Sequence, residues 1–159
     1  MTQSSSPPHG AVPERARRVW FLGQPIELMV TGEQTGGAYA VTEAIAAPGF
    51  GAAAHIHRRE AEGVYVIEGE LRFTIDERHI ECPAGTFLHI PKGSAHAWTN
   101  VGTEPAKLLT LYTPAGFEKL FETLGEPITD PQTAPPKPLD FARLREAGHA
   151  YGLEIADRP

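Results

Sequence analysis

The sequence carries a single cysteine, Cys82, which rules out an internal disulfide, and nothing in it argues for an oxidising compartment. No apolar run approaches the roughly 18 residues of a membrane span, and the opening stretch Met1 to Pro8 is Ser- and Pro-rich without the apolar centre of a secretory signal. Positive charge is scarce as well. With 14 Lys and Arg against 20 Asp and Glu, the net charge is −6 and the pI is near 5.6, and there is no basic patch or stacking array to take up a phosphate backbone. These absences predict no nucleic-acid partner, no membrane partner and a cytoplasmic location. At 159 residues the chain can bury one good core but not two, which predicts one globular domain. Turn formers, by contrast, are abundant. The 16 glycines and 15 prolines favour many short strands and an all-β core.

Residues 1 to 17, with His9 among them, are expected to form a disordered tail, because they bury too little to offset the entropy of ordering. Its closing run holds Arg15 and Arg17, which either stay solvated or dock on an acidic neighbour. Strand-like runs then follow from residue 18 to residue 113: Val19 to Leu22, Ile26 to Thr31, Ala38 to Ile45, Ala53 to His57, Gly63 to Glu68, Glu70 to Ile75, His79 to Cys82, Thr86 to Ile90, Ala95 to Asn100 and Ala106 to Tyr112. Such spacing favours a sandwich or barrel over alternating strands and helices. Residues 114 to 159 read as a helical extension. Thr113-Pro114 predicts a capped helix start, Phe117, Leu120, Phe121 and Leu124 supply its apolar face, and Gly125 stops it. The proline-rich stretch Glu126 to Pro138 predicts an extended connector. Asp140 then caps a last helix with Phe141 and Leu144 turned to the body and Gly152 at its end.

Chemistry concentrates between Gly49 and Asn100. Successive side chains of a strand alternate between faces, so His55 and His57 project from the same side and their imidazoles converge. After the polar turn Arg58 to Ala61, Glu62 opens the next strand and can lay its carboxylate beside them. His96 heads a later strand, beyond the turn signal Pro91-Lys92-Gly93-Ser94. Three nitrogens and one carboxylate oxygen suit one divalent transition metal per chain, with positions left for water or substrate. Buried core histidines are the plain alternative. Glu60, nearer His57 in sequence, is a rival carboxylate. If Glu62 faces inward, Val64 and Val66 share its side of the strand and should line the cavity beside it. Val64 and Phe73 would then make the substrate pocket apolar, and Trp98, on the face of His96, is either a pocket wall or core filling. His79, His89 and His149 are expected to be structural or exposed, and Cys82 a small buried hydrophobe.

The runs Gly49-x5-His55-x-His57-x4-Glu62-x6-Gly69 and Gly85-x5-Pro91-x-Gly93-x2-His96-x3-Asn100 match the two cupin motifs at every fixed position. The chain thus resembles the cupin superfamily, and the flanking strands and C-terminal helices resemble small bacterial single-domain cupins of the quercetin dioxygenase-like kind. The resemblance implies a jelly-roll β-barrel with one or two helices packed outside. It further implies His55, His57, Glu62 and His96 as ligands to Fe, Mn, Ni, Cu or Zn, since spacing to Gly69 selects Glu62 over Glu60. The activity it implies is that of a dioxygenase cleaving a flavonol, a catechol or another small aromatic or enolic compound, with dioxygen as co-substrate and Glu62 as ligand and catalytic base. A non-oxidative cupin cyclase or isomerase using the metal as a Lewis acid, and a binding module without turnover, are the alternatives it leaves. A homodimer is also expected by resemblance, with Trp20-Phe21-Leu22 contributing to the contact.

Overall fold

The computed structural model of the protein describes residues 17–130 and 141–156. The alternating apolar runs become twelve strands: β1 Arg17–Phe21, β2 Gln24–Val30, β3 Ala40–Ala46, β4 Gly51–His57, β5 Ala61–Glu68, β6 Glu70–Ile75, β7 Arg78–Pro83, β8 Phe87–Ile90, β9 His96–Asn100, β10 Ala106–Thr113, β11 Glu126–Pro127 and β12 Leu153–Ile155. Three helices accompany them: α1 Gly32–Thr35, α2 Glu118–Leu124 and α3 Phe141–Ala150.

The strands form two antiparallel sheets. One has seven strands in the order β11-β1-β2-β3-β10-β5-β8, and the other has five in the order β12-β4-β9-β6-β7. The result is a jelly-roll sandwich, with two facing sheets where a barrel would be one closed ring. Every second residue of β3 and of β10 is buried, so each strand lays one face on the other sheet and leaves the other outside. Val64, Val66, Leu71, Phe73, Ile90 and Leu108 fill the space between the sheets. Deleting a ring such as Phe73, 1% exposed, would cost about 3–5 kcal/mol. Gly69 joins β5 to β6 at φ +86°, and a Cβ there would lie 2.7 Å from the Cβ of Ala106, so both conformation and space require glycine.

Several expectations change at the edges of elements. The first strand already includes Arg17, whose backbone pairs with Leu28 of β2 and whose side chain pairs with Glu122. The rest of the expected tail, the prolines at 131, 135, 136 and 138, and Asp140 lie outside the described residues. The expected loop Gly32 to Gly37 contains α1, where the Gln34 side chain accepts the Thr31 N–H at 2.8 Å in a capping box. Helix α2 starts at Glu118 instead of Pro114, since Thr113 still pairs with Ala61 at the end of β10 and residues 114–117 form a turn. That turn is held by the buried Glu118, whose carboxylate accepts the N–H of Gly116 at 2.6 Å and of Gly32 at 2.8 Å. Beyond α3, where only a helix stop at Gly152 was expected, β12 pairs with β4. Leu144 is buried as expected, whereas Phe141 is 40% exposed at the rim of the interior cavity. Phe21 and Leu22 line that cavity, which leaves only Trp20 of the expected dimer segment clear of it.

Candidate metal centre

Three strands bring the four expected ligands together. His55 and His57 project from β4, His96 from the adjacent β9, and Glu62 from β5 in the opposite sheet. Parity alone does not set this arrangement. Ala52 pairs with Trp98, but His55 pairs with His96, so β4 has one more residue than β9 across the same interval. This β-bulge brings His55 opposite His96, where a regular ladder would put Ala54. Gly51 makes the approach possible, because a Cβ at that position would collide with the Trp98 carbonyl oxygen.

One ligand atom from each of the four lies within 4.8 Å of every other. The Glu62 Oε2 is 2.7 Å from His96 Nε2 and 3.7 Å from His57 Nε2. The outward nitrogens fix two of the rings. His55 Nδ1 is 2.7 Å from the Ala53 carbonyl oxygen, and His96 Nδ1 is 3.1 Å from that of Ser94. A carbonyl only accepts, so both Nδ1 atoms carry hydrogen, and in the neutral rings both Nε2 lone pairs point inward. With both rings neutral, buried nitrogen and carboxylate lone pairs would face each other, Glu62 Oε2 standing 2.7 Å from His96 Nε2 with no hydrogen between them. Such a cluster calls for a cation. Its N₃O donor set and span fit a single transition-metal ion with bonds of about 2.0–2.2 Å.

Without metal, a proton meets the same need. Burial pushes the His96 imidazolium down, but the hydrogen bond and charge of Glu62 and the Ser94 carbonyl outweigh it and raise its pKa. For Glu62, burial pushes upward, and the His96 hydrogen bond with the charges of His57, His96 and His55 wins, holding the carboxyl below its ordinary range. Burial, followed by the charges of His96 and His57, lowers His55 from 6.5 to about 4. Ionised Glu62 and neutral His55 therefore prevail at neutral pH, and the Glu62 carboxylate favours a proton on His96. A metal ion competes with protons for these nitrogens, so affinity falls as pH falls.

The cluster forms one wall of a cavity of about 350 Å³ between the sheets. Val64, Phe73 and Trp98 all line it, as do Phe117 and Tyr112; the Phe117 ring meets His57 edge-on with centroids 4.2 Å apart. Val66, expected beside Val64 at the cavity wall, is instead packed into the core between the sheets. His89 and His79 are exposed on the outside, and Cys82 is buried in the core. Among the described residues no lysine or arginine lines the cavity. Its polar atoms beyond the quartet come from Gln24, Thr42, Thr110 and Tyr112. Burial and then the charge of Glu62 push the Tyr112 phenol far up, so it stays protonated. Gln24 is 7% exposed and its Nε2 has no hydrogen-bond partner. The sequence places Gln24 in a turn between two glycine- and proline-marked strands; only the fold shows that it opens β2 with its side chain inward.

A family profile described as "Cupin domain" matches residues 42–112, which span β3 to β10. Over 155 residues, 93% of the chain, the sequence is 26% identical to quercetin 2,3-dioxygenase of Bacillus subtilis, of which it covers 45%. Over 80 residues, half the chain, it is 31% identical to an uncharacterized protein of Methanocaldococcus jannaschii, of which it covers 64%. The chain thus spans less than two thirds of the curated relatives it matches. Among solved structures, an RmlC-like cupin from Shewanella frigidimarina superposes with a TM-score of 0.58 at 17% identity, covering 71% of this chain and 96% of that one. An oxalate decarboxylase variant of B. subtilis gives 0.58 at 24% identity, covering 70% and 32%. A sugar phosphate isomerase from Silicibacter pomeroyi gives 0.52 at 24%, covering 59% and 61%. At these identities the three structures speak for the fold alone.

Proposed function

We propose that this chain, whose residues 42–112 match the cupin domain family, is a metal-dependent dioxygenase acting on a small, uncharged aromatic or enolic compound. The observation that carries the proposal is the cavity itself. Its wall is apolar apart from the quartet and a few neutral polar groups, and among the described residues no lysine or arginine lines it. Away from the ion itself, a further carboxylate or phosphate group would lose its hydration without a counter-charge. A flat aromatic compound would bury its ring against Val64, Phe73 and Trp98 at little cost. The likeness along 93% of the chain to a quercetin 2,3-dioxygenase supports the same substrate class.

In this proposal His55, His57, His96 and Glu62 hold one ion of Fe, Mn, Ni, Cu or Zn. When bound, such an ion supplies Lewis acidity toward a substrate oxygen and, if redox-active, couples the organic substrate to dioxygen. Glu62 is ionised at neutral pH and would take the proton of the substrate hydroxyl. The protonated Tyr112 and the Gln24 amide are neutral donors that orient substrate oxygens without adding charge. Both atoms of dioxygen enter the product, so no external reductant is required. The same proposal includes a cytoplasmic location and a homodimer, the latter supported by Tyr65 and Phe87, 43% and 61% exposed on the outer face of the seven-stranded sheet.

Oxygen-electrode screening of catechols and flavonols with the metal-loaded protein tests the activity, together with Glu62→Gln assayed separately for metal and turnover. The expected result is oxygen uptake that Glu62→Gln lowers at least a hundredfold per bound metal. Undiminished turnover per metal in Glu62→Gln would refute the base role, and product formed without oxygen uptake would assign the protein to non-oxidative Lewis-acid chemistry.

A further inference from the structure

The three histidines differ in what stands behind them. His55 and His96 each turn Nδ1 to a backbone carbonyl. Behind His57 stands a carboxylate, with its Nδ1 3.6 Å from Glu60 Oε2 and both side chains only 3% exposed. That separation is longer than a made hydrogen bond, yet neither atom has any other partner. A buried carboxylate oxygen without a donor is costly, and so is a buried ring N–H without an acceptor. A small rotation of either side chain satisfies both.

Glu60 belongs to the turn that joins two of the ligands, His57 at the end of β4 and Glu62 on β5. The turn is fixed from two sides. The His57 carbonyl accepts the Gly93 N–H at 2.9 Å, and the Arg58 N–H donates to the Gly152 carbonyl at 2.9 Å. Phe117 closes the space beside the His57 ring.

We infer that Glu60 is a positioning residue. It holds the proton of His57 on Nδ1, aims the Nε2 lone pair at the metal, and makes His57 a stronger donor than the two rings backed by neutral carbonyls. Sequence reasoning treats Glu60 only as a rival ligand, and the fold gives it a place behind one. The inference rests on the metal-centre reading above.

Two measurements test it. In the metal-free protein, long-range ¹H–¹⁵N spectra report each histidine tautomer. His57 is expected as the Nδ1–H form, and Glu60→Leu, which removes the acceptor, is expected to bring in the Nε2–H form of His57 while His55 and His96 keep theirs. In titrations with Co²⁺ against a competing chelator, Glu60→Gln, which keeps the shape and removes the charge, is expected to weaken binding about 10–100-fold and to shift the visible cobalt bands. An unchanged His57 tautomer in Glu60→Leu, or wild-type Co²⁺ affinity and spectrum in Glu60→Gln, would overturn the role. Failure of the wild-type protein to take up Co²⁺ would overturn the metal-centre reading and the ligand-tuning part with it, whereas the tautomer measurement needs no metal.

Discussion

Acidifying the metal-free protein from pH 7 to pH 4 isolates the cost of keeping His55 neutral inside the cluster. An unfolded histidine takes up its proton near 6.5, and His55 in the fold does so only near 4. Between these values the unfolded chain binds a proton that the folded protein does not, so stability falls as pH falls through the window. The difference from 6.5 to about 4, at 1.36 kcal/mol for each tenfold, comes to about 3 kcal/mol lost by pH 4. His96 acts in a different window. Its raised pKa contributes stability that is complete below 6.5 and is lost as pH rises through the folded value. Glu62, held low, contributes above its ordinary 4.5 and loses that contribution on further acidification. The interval from 6.5 to about 4.5 therefore belongs chiefly to His55. Urea unfolding at stepped pH after chelator treatment, on wild type and on His55→Asn, gives the difference directly. The Asn amide still donates to the Ala53 carbonyl but does not titrate. Relative to the variant, the wild type is expected to lose about 3 kcal/mol between pH 7 and pH 4. Parallel curves for the two proteins would refute the assignment of a buried neutral imidazole to His55.

Two substitutions probe the cavity wall and its support. Gln24→Met removes the unpartnered buried Nε2 at similar volume, and it is expected to raise stability by about 1 kcal/mol, a Tm gain of about 2–4 °C by calorimetry, while raising KM for an oxygenated aromatic substrate about tenfold. Glu118→Ala leaves the N–H groups of Gly32 and Gly116 without their acceptor and is expected to cost about 2–4 kcal/mol in urea unfolding, with Glu118→Gln costing less because one amide oxygen still accepts.

The strands were legible because their hydrophobic period of two is regular, as β3 and β10 show. The clustering of the four side chains was legible because spacing ties them together: two histidines one residue apart share a face of their strand. What escaped notice depends on contacts between distant segments. The bulge at Ala52 to His55 leaves no trace in β4 apart from Gly51, whose lack of a side chain has meaning only once Trp98 lies against it. Strand β12 is three residues long and gains its pairing from β4, which lies about a hundred positions earlier. Thr113-Pro114 carries a good local helix-start signal, and pairing of Thr113 with Ala61 overrides it. Gln24 and Glu60 are ordinary polar residues in turn-like sequence, and burial alone makes them notable.

The central claim is that His55, His57, Glu62 and His96 hold one cation between the two sheets. Metal analysis of tag-free protein after dialysis against a mixture of Fe, Mn, Ni, Cu and Zn salts, alongside the double variant His57→Ala/His96→Ala, tests it most directly. The account predicts about one transition-metal ion per chain in the wild type and almost none in a folded double variant. Equal metal in both proteins, or none in the wild type, would contradict it.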